Sequence, residues 1–390
     1  MDNSSKWSNP FLDNKRLVAD PLADQTLSLI MESEQAEESR RLFDLLIRNI
    51  ELPLETLPTT IKPFVEKNGE LPSWTDWNKV RLAHELFQDH GPKCLLLLYF
   101  KSLPLLYSCQ NGAEVLVKTS RLTNSQQGLE IFTRRIAETG QFLVDVMTPG
   151  ALQKGGTGIQ SIQKVRLIHA SIRHFLSKQG WEAQRFGQPV NQEDMAITLM
   201  TFSIAVLDGL AQFNMDISDE KQEAYVHTWT AIGASLGIDE DLLPKDVSEA
   251  RLLLNRILER QSAPSESGRL LARALIQFCE DQIPKDWLDN AAAALMRHLI
   301  GKERADMLGI YPGPGCLGYL LPPFLRSVFR LGEKLEDRTG DQPLEEVLEW
   351  LSRQTVKAMV NYFDKFKQRH FHIPSAMQKA WDIHPKNDQE

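Results

Sequence analysis

The chain has 390 residues, of which 42% are hydrophobic and 25% are charged, and these values are ordinary for a large globular protein. Its formal net charge of −8 argues against a nucleic-acid partner, because a nucleic-acid-binding surface is basic and clustered. The sequence also contains no basic run long enough to bind an anionic membrane surface.

The cysteines and the apolar segments predict where the protein resides. The four cysteines are scattered without CxxC spacing, so we expect a reduced, cytoplasmic setting. The N-terminal residues are polar and lack the apolar core of a signal peptide. The most apolar stretch, 94–109, is interrupted by Lys101 and Pro104, so we predict a buried helix there and no transmembrane segment.

Apolar residues recur at helical spacing along most of the chain, and no alternating pattern typical of strands occurs. Residues 1–30 are polar and contain two prolines, so we predict an arm that lies over the surface. The predicted helices, in chain order, are 24–54, 80–87, 94–107, 114–122, 129–146, 163–176, 193–210, 221–236, 248–259, 268–282, 287–300 and 344–366.

This pattern predicts an all-α fold with a single compact, multi-helix globular domain. No linker rich in Ser, Gly and Pro divides the chain. We place an N-terminal arm and first helix at 1–65, the helical domain at 66–375 and a C-terminal tail at 376–390.

Two helix starts carry recognisable capping residues. Ser73 or Thr75 is the predicted cap of the helix that follows, with Asp76 in its first turn. Asn191 is the predicted cap of helix 193–210, where acidic residues occupy the first turn.

A glycine-rich loop precedes the helix that carries the main functional candidate. Residues 154–158 read Lys-Gly-Gly-Thr-Gly, which resembles a phosphate-binding loop. No Gly-Lys-Ser/Thr follows and no strand precedes it, so we interpret the segment as a hinge that leads into helix 163–176.

Helix 163–176 places a histidine on or beside its apolar stripe. His169 lies three residues after Arg166 and four before Arg173, so both arginines flank its face of the helix. An interior imidazole between two guanidiniums is disfavoured as a cation and suits a neutral metal ligand. Haem would use both features, because its iron accepts an imidazole and its propionates accept arginines. The alternative is a core histidine whose neighbouring arginines bind carboxylates.

Other common metal-binding signatures do not occur. The sequence contains no Glu-x-x-His pair, no His-Glu-x-x-His and no Cys-x-x-Cys-His. His370 and His372 have a spacing that suits an extended segment, and His227 has no ligand partner nearby in sequence. Arg135 and Thr139 share one face of helix 129–146 and join His169 as candidates around a non-covalent haem with one protein axial ligand.

Several segments, in this order, resemble the rubber oxygenases (latex-clearing proteins) and the fungal oxygenase that cleaves the farnesyl side chain in mycophenolic acid synthesis. The resemblance spans about residues 70–310, and its most specific part is an Arg-x-x-x-Thr followed, thirty residues after that threonine, by a histidine within Arg-x-x-His-x-x-x-Arg. The segments are Pro72-Ser-Trp74, Arg134-Arg-Ile-Ala-Glu-Thr139, Lys164-Val-Arg-Leu-Ile-His-Ala-Ser-Ile-Arg173, Gly187-Gln-Pro-Val-Asn-Gln-Glu-Asp194, Trp229 with 233–237, and Gly301-Lys-Glu-Arg-Ala-Asp-Met-Leu-Gly309.

The resemblance implies an all-helical, haem b-dependent oxygenase that uses O2 to cleave an isoprenoid C=C bond into carbonyl products. His169 corresponds to the family's proximal iron ligand, and Arg135 and Thr139 match its arginine and threonine near the haem. Arg166 and Arg173 match its histidine-flanking arginines, which we assign to the propionates or to helix packing.

One position departs from the family pattern. Rubber-cleaving members have a lysine directly before the threonine, and this chain has Glu138 there, which predicts a catalytic acid/base or a side chain that points into solvent. The family's upstream glutamate base is not assigned, since neither Glu114 nor Glu130 lies in a matching motif. Rubber-cleaving members are secreted and the fungal enzyme is membrane-anchored. We see neither signal, so we expect a small, apolar, isoprenoid or lipid-like substrate rather than rubber.

Two alternatives remain open at the level of the sequence. One is a non-catalytic protein that binds haem or O2, which would form a stable adduct and release no product. The other is a cofactor-free helical interaction protein in which His169 is part of the core.

Overall fold

The computed structural model describes residues 6–32, 61–120, 128–282 and 291–311, together with six isolated positions near the C-terminus. These six are Ser352, Arg353, Thr355, Val356, Met377 and Trp381. Within this part of the chain the regular structure is helical, and the single β-type pairing is an isolated bridge between Cys109 and Ser262. The predicted all-α fold is therefore confirmed.

Within each described range the helices follow one another with short connections. A π-helical turn, Leu98–Ser102, and a 3₁₀ turn, Glu240–Leu242, interrupt the series. The α-helices are α1 Asn9–Lys15, α2 Pro21–Glu32, α3 Lys62–Lys67, α4 Trp77–Leu97, α5 Leu103–Ser108, α6 Gln110–Ser120, α7 Gly128–Met147, α8 Thr157–Lys178, α9 Ala183–Phe186, α10 Gln192–Phe202, α11 Ile204–Gln212, α12 Asp219–Ser235, α13 Val247–Gln261, α14 Glu266–Gln282, α15 Ala291–Ile300 and α16 Lys302–Leu308.

Most predicted helices lie within a few residues of observed ones, because a broad apolar stripe specifies a helix that packs on a core. Two predictions were incomplete. The single helix predicted at 193–210 is two helices, α10 and α11, with a break at Ser203, whose backbone is non-helical. The apolar stretch 94–109 runs from α4 through the π turn into α5, where Pro104 lacks the N–H that an α-helix needs. The helix predicted at 344–366 lies almost entirely outside the described residues.

The segment Gln192–Gln212 is long and apolar enough to cross a membrane by length and composition. In the structure, however, it is the broken pair α10 and α11, and 78% of its most apolar window is buried inside the protein. These helices pack against α4, α12 and α13, so burial in the core accounts for the segment's apolar composition.

The two predicted caps have different outcomes. Asn191 caps α10 as predicted, since its side chain accepts a hydrogen bond from Asp194 N at 2.9 Å. The cap of α4 was predicted wrongly, because it is Asp76 whose side chain accepts from the N–H groups of Asn78 and Lys79. Thr75 instead donates its hydroxyl to the carbonyl of Pro72, since the helix begins one residue later than predicted.

The N-terminal arm is part of the core, which corrects the prediction that it lies over the surface. Trp7 and Leu12 are 1% and 0% exposed. The arm is also fastened by its backbone, since Gln188 N donates to the carbonyl of Arg16 at 2.8 Å. Gly187, at φ 77°, allows this approach, because a Cβ there would lie 2.8 Å from that carbonyl. The predicted boundaries at residues 65 and 375 stay predictions.

A large core and a smaller second cluster position the helix that carries His169. The large core is built around the long helices α4 and α12. Helix α8 packs on α7 on one side and on α2 on the other. The second cluster joins α2, α3 and α8 through Ala23, Leu27, Ile30, Ile61, Phe64, Leu167 and Ala170.

Candidate functional site

His169 lies on α8 deep within the protein and is held as a neutral imidazole. Burial lowers the pKa of His169 to about 3, and the positive charges of Arg173 and Arg135 act in the same direction. The carboxylate of Asp20 opposes them without restoring the ordinary pKa. The ring is therefore uncharged at neutral pH, as a metal ligand must be.

The imidazole of His169 has no hydrogen-bond partner among the described residues. Its Nδ1 is buried and unpaired, although part of the residue's surface remains accessible. An unpaired buried nitrogen is costly, since such groups in native proteins almost always find a partner. The arrangement therefore leaves a neutral nitrogen ligand available.

All three guanidinium nitrogens of Arg166 donate hydrogen bonds to protein partners. Its Nε and Nη2 contact both oxygens of Asp20 at 2.5 and 2.9 Å, and its Nη1 donates to Asn68 Oδ1 at 2.7 Å and to Ser235 O at 3.3 Å. Gly237, at φ 86°, makes room for this pair, because a Cβ there would lie 2.6 Å from Asp20 Oδ2. These contacts fit the helix-packing assignment of Arg166, and a propionate contact by Arg166 stays a prediction.

Arg173 is only partly occupied. Its Nε donates to Asp24 Oδ1 at 2.7 Å and its Nη1 donates to Val190 O at 3.2 Å. Its Nη2 is buried and has no hydrogen-bond partner in the described ranges of the chain. Burial raises the pKa of Asp24, and the charge of Arg173 opposes that rise. One donor of Arg173, four residues from His169, is therefore available to a further acceptor.

Arg135, on α7, is a partly buried cation that forms no salt bridge with a carboxylate in the described part of the chain. Burial lowers its pKa, and Glu138 and Tyr107 act in the opposite direction. Its Nη1 donates to Thr119 Oγ1 at 2.6 Å and lies 3.5 Å from Leu116 O. Because the charge of Arg135 acts on His169, the structure brings these two predicted residues into electrostatic range of each other.

Glu138 and Thr139 lie three and four residues after Arg135, which is about one helical turn. The hydroxyl of Thr139 donates to the carbonyl of Arg135 at 2.7 Å, which leaves its oxygen free to accept. Glu138 is mostly buried, lies 3.5 Å from Arg134 Nε and acts electrostatically on Arg135. Their catalytic roles stay predictions.

The two upstream glutamates that the sequence left unassigned do not add to this group. Glu114 accepts a hydrogen bond from Ser267 Oγ at 2.5 Å and lines a polar cleft of about 350 Å³ between α6, α9 and the start of α14. The side chain of Glu130 lies outside the described residues. The neighbours that the sequence missed are Thr119 and Tyr107, which lie on α6 and α5 and share no helical spacing with Arg135.

No cluster of three or more His, Cys, Asp or Glu side chains able to hold a bare metal ion occurs among the described residues. His227 accepts a hydrogen bond from Asp76 N at 2.9 Å, which accounts for one of its ring nitrogens. His370 and His372 lie outside the described part of the chain. A single imidazole suits a metal whose remaining ligands come from another group.

Comparison with known proteins agrees with the resemblance seen in the sequence. A rubber oxygenase from Streptomyces sp. (strain K30) is 23% identical over 302 residues, which cover 76% of this chain and 72% of the relative. The solved structure of latex clearing protein LCP in the closed state has the same fold, with a TM-score of 0.70 at 21% identity over 88% of this chain and 91% of that chain.

The family match covers the part of the chain that holds most of the segments on which the resemblance rests. Residues 109–338 match the family described as ER-bound oxygenase mpaB/B'/Rubber oxygenase, catalytic domain. This range contains Arg135, Glu138, Thr139 and the whole of α8. Because the match covers more than half of the chain, the protein belongs to this family of oxygenases, which are oxidoreductases, and the resemblance and the predicted enzyme class are confirmed.

Proposed function

We propose that the protein is a haem b-dependent oxygenase that acts with O2 on an apolar, isoprenoid or lipid-like small molecule. The observation that carries this proposal is the imidazole of His169, which is neutral, buried at Nδ1 and unpaired. His90 Nδ1 and His174 Nε2 are also buried and unpaired, so the proposal rests on His169 together with the nearby donors of Arg173 and Arg135 and with the family match.

The residues around His169 fit a haem group. Haem iron needs a single protein nitrogen, because the porphyrin supplies four, and this matches one imidazole without a cluster of further ligands. The free Nη2 of Arg173 and the cation of Arg135 supply positive charge and donors for anionic substituents. When bound, haem iron supplies the activation of O2 that an oxygenase needs.

The roles of the side chains follow from their contacts. His169 would ligate the iron, and Arg173 is a better candidate than Arg166 for a propionate contact, because the donors of Arg166 are taken by Asp20, Asn68 and Ser235. Arg135 would orient dioxygen or substrate oxygen and stabilise developing negative charge.

Thr139 and Glu138, about one turn after Arg135 on α7, would assist it. The oxygen of Thr139 can accept a proton-bearing group, since its own hydrogen is donated to the helix. Glu138 is proposed as the acid or base that moves a proton, because its carboxylate is mostly buried beside Arg135.

The proposed substrate class rests on the relatives and on the apolar surroundings of α8. The similar Streptomyces protein is a rubber oxygenase, and rubber is a polyisoprenoid. Helix α8 presents Leu167, Ile168 and Ala170 to the second hydrophobic cluster, while Ile136 is buried in the large core on the facing helix. Such surroundings exclude water and favour an apolar alkene, for which oxidative C=C cleavage is the proposed reaction.

The test is an absorption spectrum of protein expressed with haem supply, beside His169→Ala and a matched control, His84→Ala. We expect a Soret band in the wild type, its loss or shift in His169→Ala, and its retention in His84→Ala, since His84 is buried but hydrogen-bonded to Val146 O. Carbonyl products released from isoprenoid alkenes under O2 would then distinguish an oxygenase from a haem carrier. No band in folded wild-type protein would reject the proposal and leave a helical protein without haem.

A further inference from the structure

We infer that Thr119, on α6, is a positioning residue that fixes the guanidinium of Arg135 in the site. The contact joins two helices, since Thr119 Oγ1 accepts from Arg135 Nη1 at 2.6 Å across 16 residues of sequence. The inference rests on the proposed function, in which Arg135 orients oxygen.

The hydroxyl of Thr119 is itself held in one orientation. It donates its hydrogen to the helix carbonyls of Val115 and Leu116, at 2.8 and 3.0 Å. A hydroxyl has one donor and two acceptor lone pairs, so its acceptor side is the part left for Arg135. A β-branched side chain on a helix also has few χ1 positions, which adds to the rigidity of this acceptor.

Thr119 is a neutral acceptor, and this affects the charge of Arg135 differently from a carboxylate. Elsewhere in this protein buried guanidiniums meet carboxylates, as in the pairs Arg166–Asp20 and Arg16–Glu193. A carboxylate orients a guanidinium but also cancels most of its charge. Thr119 orients Arg135 without cancelling its charge, so the positive field remains available to a bound oxygen or anion.

One edge of the guanidinium is left for the site. Arg135 Nη1 is used by Thr119, whereas Nε and Nη2 make no hydrogen bond to residues that the structure describes. The charge of Arg135 acts on His169, so the guanidinium lies within electrostatic range of the imidazole. Loss of the Thr119 hydroxyl would let the guanidinium rotate away from that position.

The experiment is a spectroscopic titration of the haem-loaded ferric protein with azide, an anion that Arg135 would stabilise as a ligand. The variants are Thr119→Val, Thr119→Ser, Arg135→Leu and the double variant. Thr198→Val is the control, because the Thr198 hydroxyl donates to the carbonyl of Asp194 in its own helix and has no hydrogen bond to an arginine that the structure describes.

We expect Arg135→Leu and Thr119→Val each to weaken azide binding about tenfold, as loss of a charged hydrogen bond does. The double variant should be no weaker than Arg135→Leu, because Thr119 acts through Arg135. Thr119→Ser, which keeps the hydroxyl, and Thr198→Val should stay within about twofold of the wild type.

The possible negative results of this experiment lead to different conclusions. Wild-type azide affinity in Thr119→Val, with weakened binding in Arg135→Leu, would overturn the role of Thr119 and leave the proposed function intact. Wild-type affinity in Arg135→Leu would overturn the inference together with the role of Arg135. Absence of a Soret band in the wild type would reject the proposed function first.

Discussion

Two buried polar regions of this protein are built on opposite principles. Where the N-terminal arm meets α10 and α13, Arg16 contacts Glu193 and Asp194 at 3.1 and 3.0 Å, and Arg260 contacts Glu193 at 2.6 Å. Around α7 and α8, the imidazole of His169 has no hydrogen-bond partner among the described residues, and the described hydrogen-bond partners of Arg135 are neutral. The first region is saturated and the second keeps unused donors and acceptors.

This difference teaches which buried polar groups hold the fold and which are kept for another purpose. A saturated ion pair fixes how helices dock but leaves nothing to bind a ligand. An unsatisfied buried group costs stability and therefore calls for an explanation, and for His169 the explanation proposed is a ligand. The comparison can be tested by removing matched members of each region.

The largest expected effect is at a saturated ion pair on α8 itself, Arg166 with Asp20. Arg166→Leu leaves Asp20 buried without its cation, since the Asp20 side chain is 4% exposed. We expect the free energy of unfolding to fall by about 3–5 kcal/mol, measured by urea denaturation. The control is Arg81→Leu, where the partners are exposed and the expected loss is about 0.5 kcal/mol or less. Equal losses in the two variants would contradict the comparison.

The sequence predicted much of this fold because helical periodicity is local. The stripe of α8 alone was enough to locate the helix and to place His169 between Arg166 and Arg173. The break at Ser203 was missed, since neither glycine nor proline marks it. The burial of Trp7 could not be predicted, because its indole donates to Asp241 O, 234 residues away in sequence.

The same limit applies to the site. Arg135 and Thr139 could be named from their spacing on one helix face, and the resemblance gave their role. The partner of Arg166 could not be named, because Asp20 lies 146 residues away and meets it only through packing of α2 on α8. Thr119 was missed for a similar reason, since its contact with Arg135 depends on how α6 and α7 pack.

A second prediction concerns the pH dependence of stability. Unfolded histidine has its ordinary pKa of 6.5, whereas burial lowers the folded pKa to about 3 for His169 and to about 4 for His84. The unfolded chain therefore binds more protons in this window, and stability that is fully present above pH 6.5 is lost as the pH falls. Each histidine should remove about 2 kcal/mol between pH 6.5 and 5.

The measurement is urea denaturation of apo-protein at a series of pH values from 7.5 to 5. In His169→Leu the decline should be smaller by about 2 kcal/mol, and the remaining slope reports His84 together with His90, His174 and His227, whose pKa values burial also lowers. If stability falls with pH as steeply in His169→Leu as in the wild type, His169 is not a buried neutral group. The contrast between His169 and the saturated ion pairs would then be lost.

The smallest expected effect is a gain of stability, whereas the largest is a loss. In apo-protein at pH 7.5, His169→Leu replaces an imidazole whose Nδ1 is buried and unpaired by an apolar side chain, so we expect stability to rise by about 1 kcal/mol. His84→Leu should lower it, because His84 Nε2 lies 3.2 Å from Val146 O and its loss leaves that carbonyl without its imidazole partner. If both variants lose stability equally, His169 is an ordinary core histidine. If His169→Leu gains stability and loses the Soret band together, the unpaired imidazole is retained for its ligand and not for the fold.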